Sequence, residues 1–206
     1  MELFTINATT FATMLKGALV GTGTDNTLPV LTAIHIESNG HEVRCVSTDR
    51  YRLVVAGYDI TDSEPAMNDG AFNLPKDSAK ELVKLLTTKS IHATVLVELS
   101  DDNRLVSFSF EDFDGKWTRE YRTLDGEFPR YRTLVPVIED SNDRDPVVSR
   151  VRYNPKFLGD IAKIPTSDKN TSVTLDFTAT NKPMVATIEG PNGVDFIYLL
   201  MPIRIP

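Results

Sequence analysis

Catalysis or metal binding would begin at histidine, cysteine or paired acids, and in this chain those residues are few and scattered. His35, His41 and His92 fall at no metal-ligand spacing and read as strand or turn positions. Cys45, the only cysteine, lies in an alternating polar–apolar stretch, which predicts a buried thiol rather than a nucleophile. The pairs Asp101-Asp102 and Glu111-Asp112 stand at the ends of predicted strands, where solvent-facing acids are the ordinary outcome. No Gly-rich phosphate loop and no serine nucleophile elbow is present. The sequence therefore predicts no enzyme, no metal and no cofactor.

The residues whose spacing does suggest chemistry are lysines. Lys76, Lys80 and Lys84 stand four apart and form one stripe on a helix, opposite the apolar stripe Ala79, Leu82, Val83 and Leu86. Lys16, Lys156 and Lys163 sit on two further predicted helices. Together the three helices carry six lysines against three acids, Asp77, Glu81 and Asp160, although the chain's net charge is −7. Such a stripe can be a solvated face and nothing more. It also suits a phosphate backbone contacted without sequence readout. No basic cluster interleaved with aromatic residues points to single-strand stacking.

The elements that would carry these side chains recur in one order. A strand at 3–6, a helix from Thr9 to Val20 ended by Gly21-Thr22-Gly23, and strands at 33–37, 42–47 and 51–56 form the first unit. After an acidic loop at 61–70 the order restarts: a strand at 71–74, a helix from Pro75 to Leu86 and strands at 93–99, 104–110 and 117–122. The acidic stretch Pro136 to Pro146 reads as a linker. A third unit follows, with a strand at 151–153, Asn154 as N-cap, a helix over 156–164, and strands at 173–177, 184–188 and 194–201. The residue identities do not repeat, only the strand-helix-three-strand pattern. The last eleven residues, from Phe196 to Pro206, hold eight apolar residues, one charge and two prolines. A segment this apolar must dock, either as a core strand alone or also as one wall of a partner groove.

Composition sets the outer bounds. The 206 residues are 41% hydrophobic, enough for real cores, and no apolar run approaches the roughly 18 residues of a membrane span. Met1-Glu2-Leu3-Phe4 lacks the pattern of a signal peptide, and one cysteine fits a reducing compartment, so a cytoplasmic protein is expected. A pI near 5.0 means that overall charge does not advertise nucleic-acid binding.

Three stretches in this frame resemble one family. They are Ser47-Thr48-Asp49-Arg50-Tyr51-Arg52-Leu53, then Asp125-Gly126-Glu127-Phe128-Pro129-Arg130-Tyr131-Arg132-Thr133-Leu134-Val135-Pro136, and Tyr198-Leu199-Leu200-Met201-Pro202-Ile203-Arg204-Ile205. In this order they resemble the bacterial DNA polymerase III beta subunit, the replicative sliding clamp, and Leu28-Pro29-Val30-Leu31 adds to the likeness. The resemblance implies an α+β DNA-clamp fold of three βαβββ repeats, with helices on one face of antiparallel sheets. Residues 1–136 would be a complete domain like the family's middle domain, 137–146 an acidic linker, and 147–206 a half domain like the second half of the last one. The family's first domain and half of its third would be absent, as in a shortened, phage or mobile-element form. The family ring has twelve repeats, so three per chain implies a homo-oligomer of four.

The resemblance also implies two surfaces. Helices line a hole that holds duplex DNA independently of sequence, which would make Lys16, Lys76, Lys80, Lys84, Lys156 and Lys163 phosphate contacts. A hydrophobic groove takes short linear peptides from DNA polymerase and the clamp loader. Its matching positions are Leu31, Thr48, Arg50, Tyr51, Arg52, Leu53, Pro129, Thr133, Leu134, Leu199, Leu200, Met201, Pro202, Ile203 and Arg204. Departures are Arg50-Tyr51 in place of a small-plus-polar pair, Thr133 where a basic residue is common, and the added Pro206. The expected function is thus a non-enzymatic processivity factor in the cytoplasm at the nucleoid, or in a host's cytoplasm, with no membrane partner. The alternative is a clamp-like peptide-binding decoy or adaptor that does not encircle DNA.

Overall fold

Asn7 ends one element and begins the next. Its side-chain oxygen accepts hydrogen bonds from the backbone N–H of Thr9 at 2.9 Å and Thr10 at 3.3 Å, satisfying donors the first helical turn leaves open. Strand β1 (Glu2–Asn7) therefore runs straight into helix α1 (Ala8–Leu19), whose face of Phe11, Met14, Leu15 and Ala18 is fully buried. The computed structural model describes residues 1–59, 68–88, 93–112, 115–135, 151–168 and 171–203. The expected linker at 137–146, most of the loop at 61–70, His92 and Arg204 lie outside the described residues.

The first unit continues with β2 (Ala33–Asn39), β3 (Glu42–Thr48) and β4 (Arg52–Asp59). The second comprises β5 (Asp69–Pro75), α2 (Lys76–Thr87), β6 (Thr94–Leu99), β7 (Leu105–Asp112) and β8 (Gly115–Arg122). Pro75 closes β5 and caps α2 rather than opening the helix. The third has α3 (Pro155–Asp160), a 3-10 turn at Ile161–Lys163, then β9 (Val173–Phe177), β10 (Met184–Glu189) and β11 (Asp195–Leu200). Asn154 caps α3 by accepting from Lys156 N–H at 3.0 Å. The expected nine-residue helix is thus a six-residue helix that tightens into a 3-10 turn.

The expected strand at 151–153 is absent, and the sheet topology gives the reason. The leading strand of each complete unit pairs in the other unit's sheet: β1 with β6, and β5 with β2. Two antiparallel sheets result, ordered β1-β6-β7-β8 and β5-β2-β3-β4-β11-β10-β9. Among the described residues, 151–153 have no second sheet to join, so they stay irregular. Helices α1 and α2 pack on each other, and α1 lies across β3 and β4.

The seven-stranded sheet is continuous across the unit boundary because β4 pairs with β11 from Arg52↔Leu200 to Gly57↔Asp195. Side chains alternate across it. Val54, Ala56, Phe196, Tyr198 and Leu200 join the large core under the helices. Val46, Leu53, Val55, Val185 and Leu199 form a smaller cluster on the opposite face, covered by Phe128 and Tyr131. The helix side and the outer side are therefore two separate chemical surfaces. Cys45 is fully buried, and burial pushes its thiol well above the ordinary range, in keeping with an inert core residue.

Candidate functional site

The segment from Leu124 to Val135 is laid over the outer face by one polar and aromatic cluster. Asn73 donates to the carbonyl oxygens of Leu124 at 3.2 Å and Gly126 at 2.9 Å, while its own side-chain oxygen meets His35 Nδ1 at 2.9 Å. The His35 ring stacks on Phe128 at 4.8 Å, with 10° between the planes. Glu37 accepts hydrogen bonds from Tyr131 Oη and from Arg132 Nη2, the latter at 2.7 Å. Burial alone would raise the Glu37 carboxyl, but bonds to His35 and Tyr131 and the Arg132 charge outweigh it and hold the group at about 2.

This strap leaves a depression on each side. One, of about 260 Å³, is lined by Thr48, Arg50, Arg52, Leu53, Pro129, Leu134, Pro183, Leu199 and Met201. The other, of about 340 Å³, lies over Val55, Gly57, Tyr131, Arg132, Val135 and Ile197, with Glu42, Arg44 and Asp195 at its margin. The first is an apolar floor of Leu53 and Leu199 with an exposed methionine at the rim, a shape that accepts short apolar segments of varied sequence.

The turn between β3 and β4 is built from its own side chains. Thr48 Oγ1 donates to the Arg52 carbonyl at 2.7 Å, and Asp49 Oδ1 accepts from the N–H groups of Tyr51 and Arg52, both at 3.1 Å. Arg50 sits at φ 75°, a left-handed conformation that a non-glycine residue enters at a cost. Tyr51 is exposed, and its carbonyl accepts from Met201 N–H at 2.9 Å, which ties the turn to the segment after β11.

Eight of the fifteen groove positions expected from the sequence line the first depression: Thr48, Arg50, Arg52, Leu53, Pro129, Leu134, Leu199 and Met201. Pro183 joins them and carried no signal in the chain order, since it belongs to the turn before β10. Leu31, Tyr51, Thr133, Pro202 and Ile203 lie outside its wall, and Leu200 faces the helix-side core. Arg52 borders the depression, yet its guanidinium is turned to the other side. It pairs with Asp49 at 3.1 Å and with Asp160 at the end of α3, and stands 4.7 Å from the centre of the Phe157 ring. Two-residue alternation with Val54 and Ala56 places Arg52 there. Burial pushes Tyr198 up to about 12 against the pull of Arg52, and its hydroxyl donates to the Phe157 carbonyl at 2.7 Å.

The six lysines all belong to the helix side but are not equivalent. Lys16, Lys84 and Lys156 are exposed and make no ion pair among the described residues. Lys80 pairs with Asp77 at 2.9 Å, and Lys163 with Asp160 at 2.5 Å. Lys76 is half-buried, its Nζ 3.5 Å from the Gly23 carbonyl, and burial with the nearby Lys80 and Arg52 charges lowers its pKa. Asp160, counted in the sequence among the acids opposing these lysines, is buried and spent on Arg52 and Lys163. No helix is long and apolar enough to cross a membrane, and no group of three metal-ligating side chains occurs among the described residues.

Comparison with known proteins bears on this arrangement. Residues 5–130 match the family described as DNA polymerase III beta subunit, central domain. The beta sliding clamp of Streptomyces coelicolor is 32% identical over 133 residues, which are 64% of this chain and 34% of that protein. The beta sliding clamp of Micrococcus luteus is 29% identical over 132 residues, 64% of this chain and 40% of that protein. This chain thus spans well under half the length of these curated relatives. The DNA polymerase III beta subunit of Thermotoga maritima superposes on 100% of this chain and 66% of its own, with a TM-score of 0.73 at 20% identity. For the DNA polymerase sliding clamp of Bacillus subtilis the figures are 99%, 64%, 0.74 and 16%. The likeness extends through the third unit, which gives the α+β architecture of helices on one face of antiparallel sheets.

Proposed function

We propose a sliding-clamp role from one premise: the chain belongs to the DNA polymerase III beta subunit family, whose central domain matches residues 5–130. The chain acts without catalysis as a processivity factor, holding duplex DNA within an oligomeric ring and tethering a DNA polymerase through short linear peptides, in the cytoplasm. Four copies supply the twelve repeats of a closed ring. The observation that carries this reading is the division of the seven-stranded sheet into two surfaces. The exposed lysines Lys16, Lys84 and Lys156 rise from the helix side, whereas the apolar depression over Leu53 and Leu199 opens on the other. A molecule so divided contacts a polyanion and a peptide at the same time. Phosphate contacts that are few and separately weak permit sliding.

The depression suits the polymerase peptide and, by the same chemistry, that of a loader. Leu53 and Leu199 offer an apolar floor, Met201 an adaptable rim, and Thr48 and Arg50 polar margins. Tyr51, Pro202 and Ile203, outside that lining but next in the chain to Arg50, Arg52 and Met201, would meet the flanks of a longer peptide.

A second reading, the decoy that binds peptides without encircling DNA, is favoured by the pairing of Lys80 with Asp77 and of Lys163 with Asp160. One experiment separates the two. The protein is loaded on nicked circular and on linearised DNA and washed at rising salt. The clamp reading expects retention on the circle and loss from linear ends, and the change of Lys76, Lys80 and Lys84 together to Glu should weaken retention and reduce the salt slope. Equal loss from both DNA forms, with peptide binding intact, would replace the clamp with the decoy.

A further inference from the structure

The chain already builds one interface between repeats, and its third unit presents half of that interface with none of the described residues paired against it. In the first two units the residue just before the N-cap faces the core and pairs with the first core-facing residue of the other unit's second strand. These pairs are Ile6↔Val95 and Leu74↔Ile34. The matching positions of the third unit are Tyr153 and Val173. Tyr153 packs against the large core and lies 6.4 Å from Phe177, and among the described residues β9 pairs only with β10, leaving its other edge open. Val173, Leu175 and Phe177, which share one face, are 38%, 43% and 45% exposed, and Leu158 on α3 is 42% exposed. By contrast α1 and α2 cover one another.

The backbone of the leading segment is also held as its counterpart is. Asn73, two residues before its N-cap, accepts from Leu124 N–H at 2.9 Å and turns its opposite edge to β2. Arg152, two residues before its N-cap, accepts from Ile203 N–H at 2.7 Å and has its opposite edge open among the described residues.

We infer that two copies of this chain exchange leading strands at the third unit. Residues 151–153 of each copy add antiparallel to β9 of the other, α3 lies against α3, and the pairs are Tyr153↔Val173, Arg152↔Thr174 and Val151↔Leu175. Such an interface is self-complementary, repeats the contact the chain forms internally, and closes an edge that would otherwise template aggregation. Charge agrees with the register: exposed Arg152 falls diagonal to Asp176 of the other copy, and the relation is reciprocal. The inference deepens the ring reading by naming one of its joints, but it stands on the repeat geometry and survives without DNA.

Arg152↔Thr174 corresponds to Asn73↔His35, a pair without mutual hydrogen bonds, where Cα atoms lie about 4.5 Å apart, within disulfide reach. The full chain carrying Arg152→Cys and Thr174→Cys, mildly oxidised, should therefore run as a covalent dimer on a non-reducing gel. Arg152→Cys with Val173→Cys, which puts the thiols on opposite faces, should remain single. Cys45 is buried and stays out of the reaction. The unmodified protein should show at least a dimer mass by light scattering at micromolar concentration. Leu175→Lys should lower that mass while leaving the far-ultraviolet circular dichroism unchanged. A monomer at every concentration, or equal cross-linking by both cysteine pairs, overturns the inference. A dimer that fails to stay on circular DNA leaves it standing and removes the clamp reading instead.

Discussion

Replacing Arg52 by Met tests how the third unit is fastened to the first. Arg52 belongs to β4, and Asp160, at the end of α3, comes from the far side of the unit boundary. Their side chains are 11% and 5% exposed, so the pair is shielded from solvent. Asp49 on one flank and Lys163 on the other complete a four-charge line, and the Phe157 ring lies against the guanidinium. Removing one member of a buried pair costs about 3–5 kcal/mol, mostly because the survivor is left desolvated and unpaired. Lys163 remains beside Asp160, which puts Arg52→Met near the lower bound, about 3 kcal/mol. In a chain of this length that lowers Tm by roughly 6–12 °C. Joint replacement, Arg52→Met with Asp160→Leu, removes both charges and should be less damaging than the sum of the two single changes by more than about 1 kcal/mol. Urea unfolding followed by circular dichroism measures all four proteins. The reasoning fails if Arg52→Met lies within about 0.5 kcal/mol of the parent, or if the two changes simply add.

Acid should loosen the strap over the outer face. Glu37, held at about 2 in the folded chain against its usual 4.5, contributes stability that is full above the usual value and lost as pH falls from about 4.5 toward 2. Glu37→Gln should flatten that part of the stability–pH curve by about 3 kcal/mol, read by thermal melts across the range. Gly17 on α1 is constrained by Phe196, since an added Cβ would overlap that ring. Gly17→Ala should therefore lose about 1–2 kcal/mol, overpacking outweighing the roughly 1 kcal/mol that alanine adds to a helix. In the depression, Met201→Ala should weaken binding of a clamp-motif peptide about fivefold or more, with less than about 1 kcal/mol of stability lost, because Met201 is 43% exposed. Leu53→Ala, at a position 3% exposed, should lower both binding and stability, the latter by about 2–4 kcal/mol. Titration calorimetry and melts separate these two effects.

The strand-helix-three-strand order was legible because hydrophobic period and turn residues are local properties. What escaped depended on partners distant in the chain. The strand at 151–153 has the right residues but lacks a neighbour among the described residues, and β structure needs one. Pro183 reaches the depression only because β10 is brought beside β11. The lysine stripe was visible, whereas the capture of Lys163 and Arg52 by Asp160 required α3 to dock on β4. Arg52 was placed in the groove by resemblance, although its alternation with Val54 and Ala56 already pointed it inward. The strap held by His35, Glu37 and Asn73 gave no sign at all, since each of those residues reads as an ordinary strand polar residue.

The alternation of the seven-stranded sheet also constrains how this chain can diverge. In β4, β10 and β11 the core-facing residues have even numbers and the outward residues odd ones: Val54, Met184 and Tyr198 against Leu53, Val185 and Leu199. Even positions answer to the packing of helices shared by every copy, so their substitutions should be conservative in volume. Odd positions near the depression answer to whichever peptide is bound, and can change as that peptide changes without disturbing the other surface. A one-residue insertion in β4 would reverse this assignment along the rest of the strand, presenting hydrophobic core to peptide and groove to helix. Lineages of this chain should therefore record single substitutions freely at odd positions, and indels in these three strands almost never.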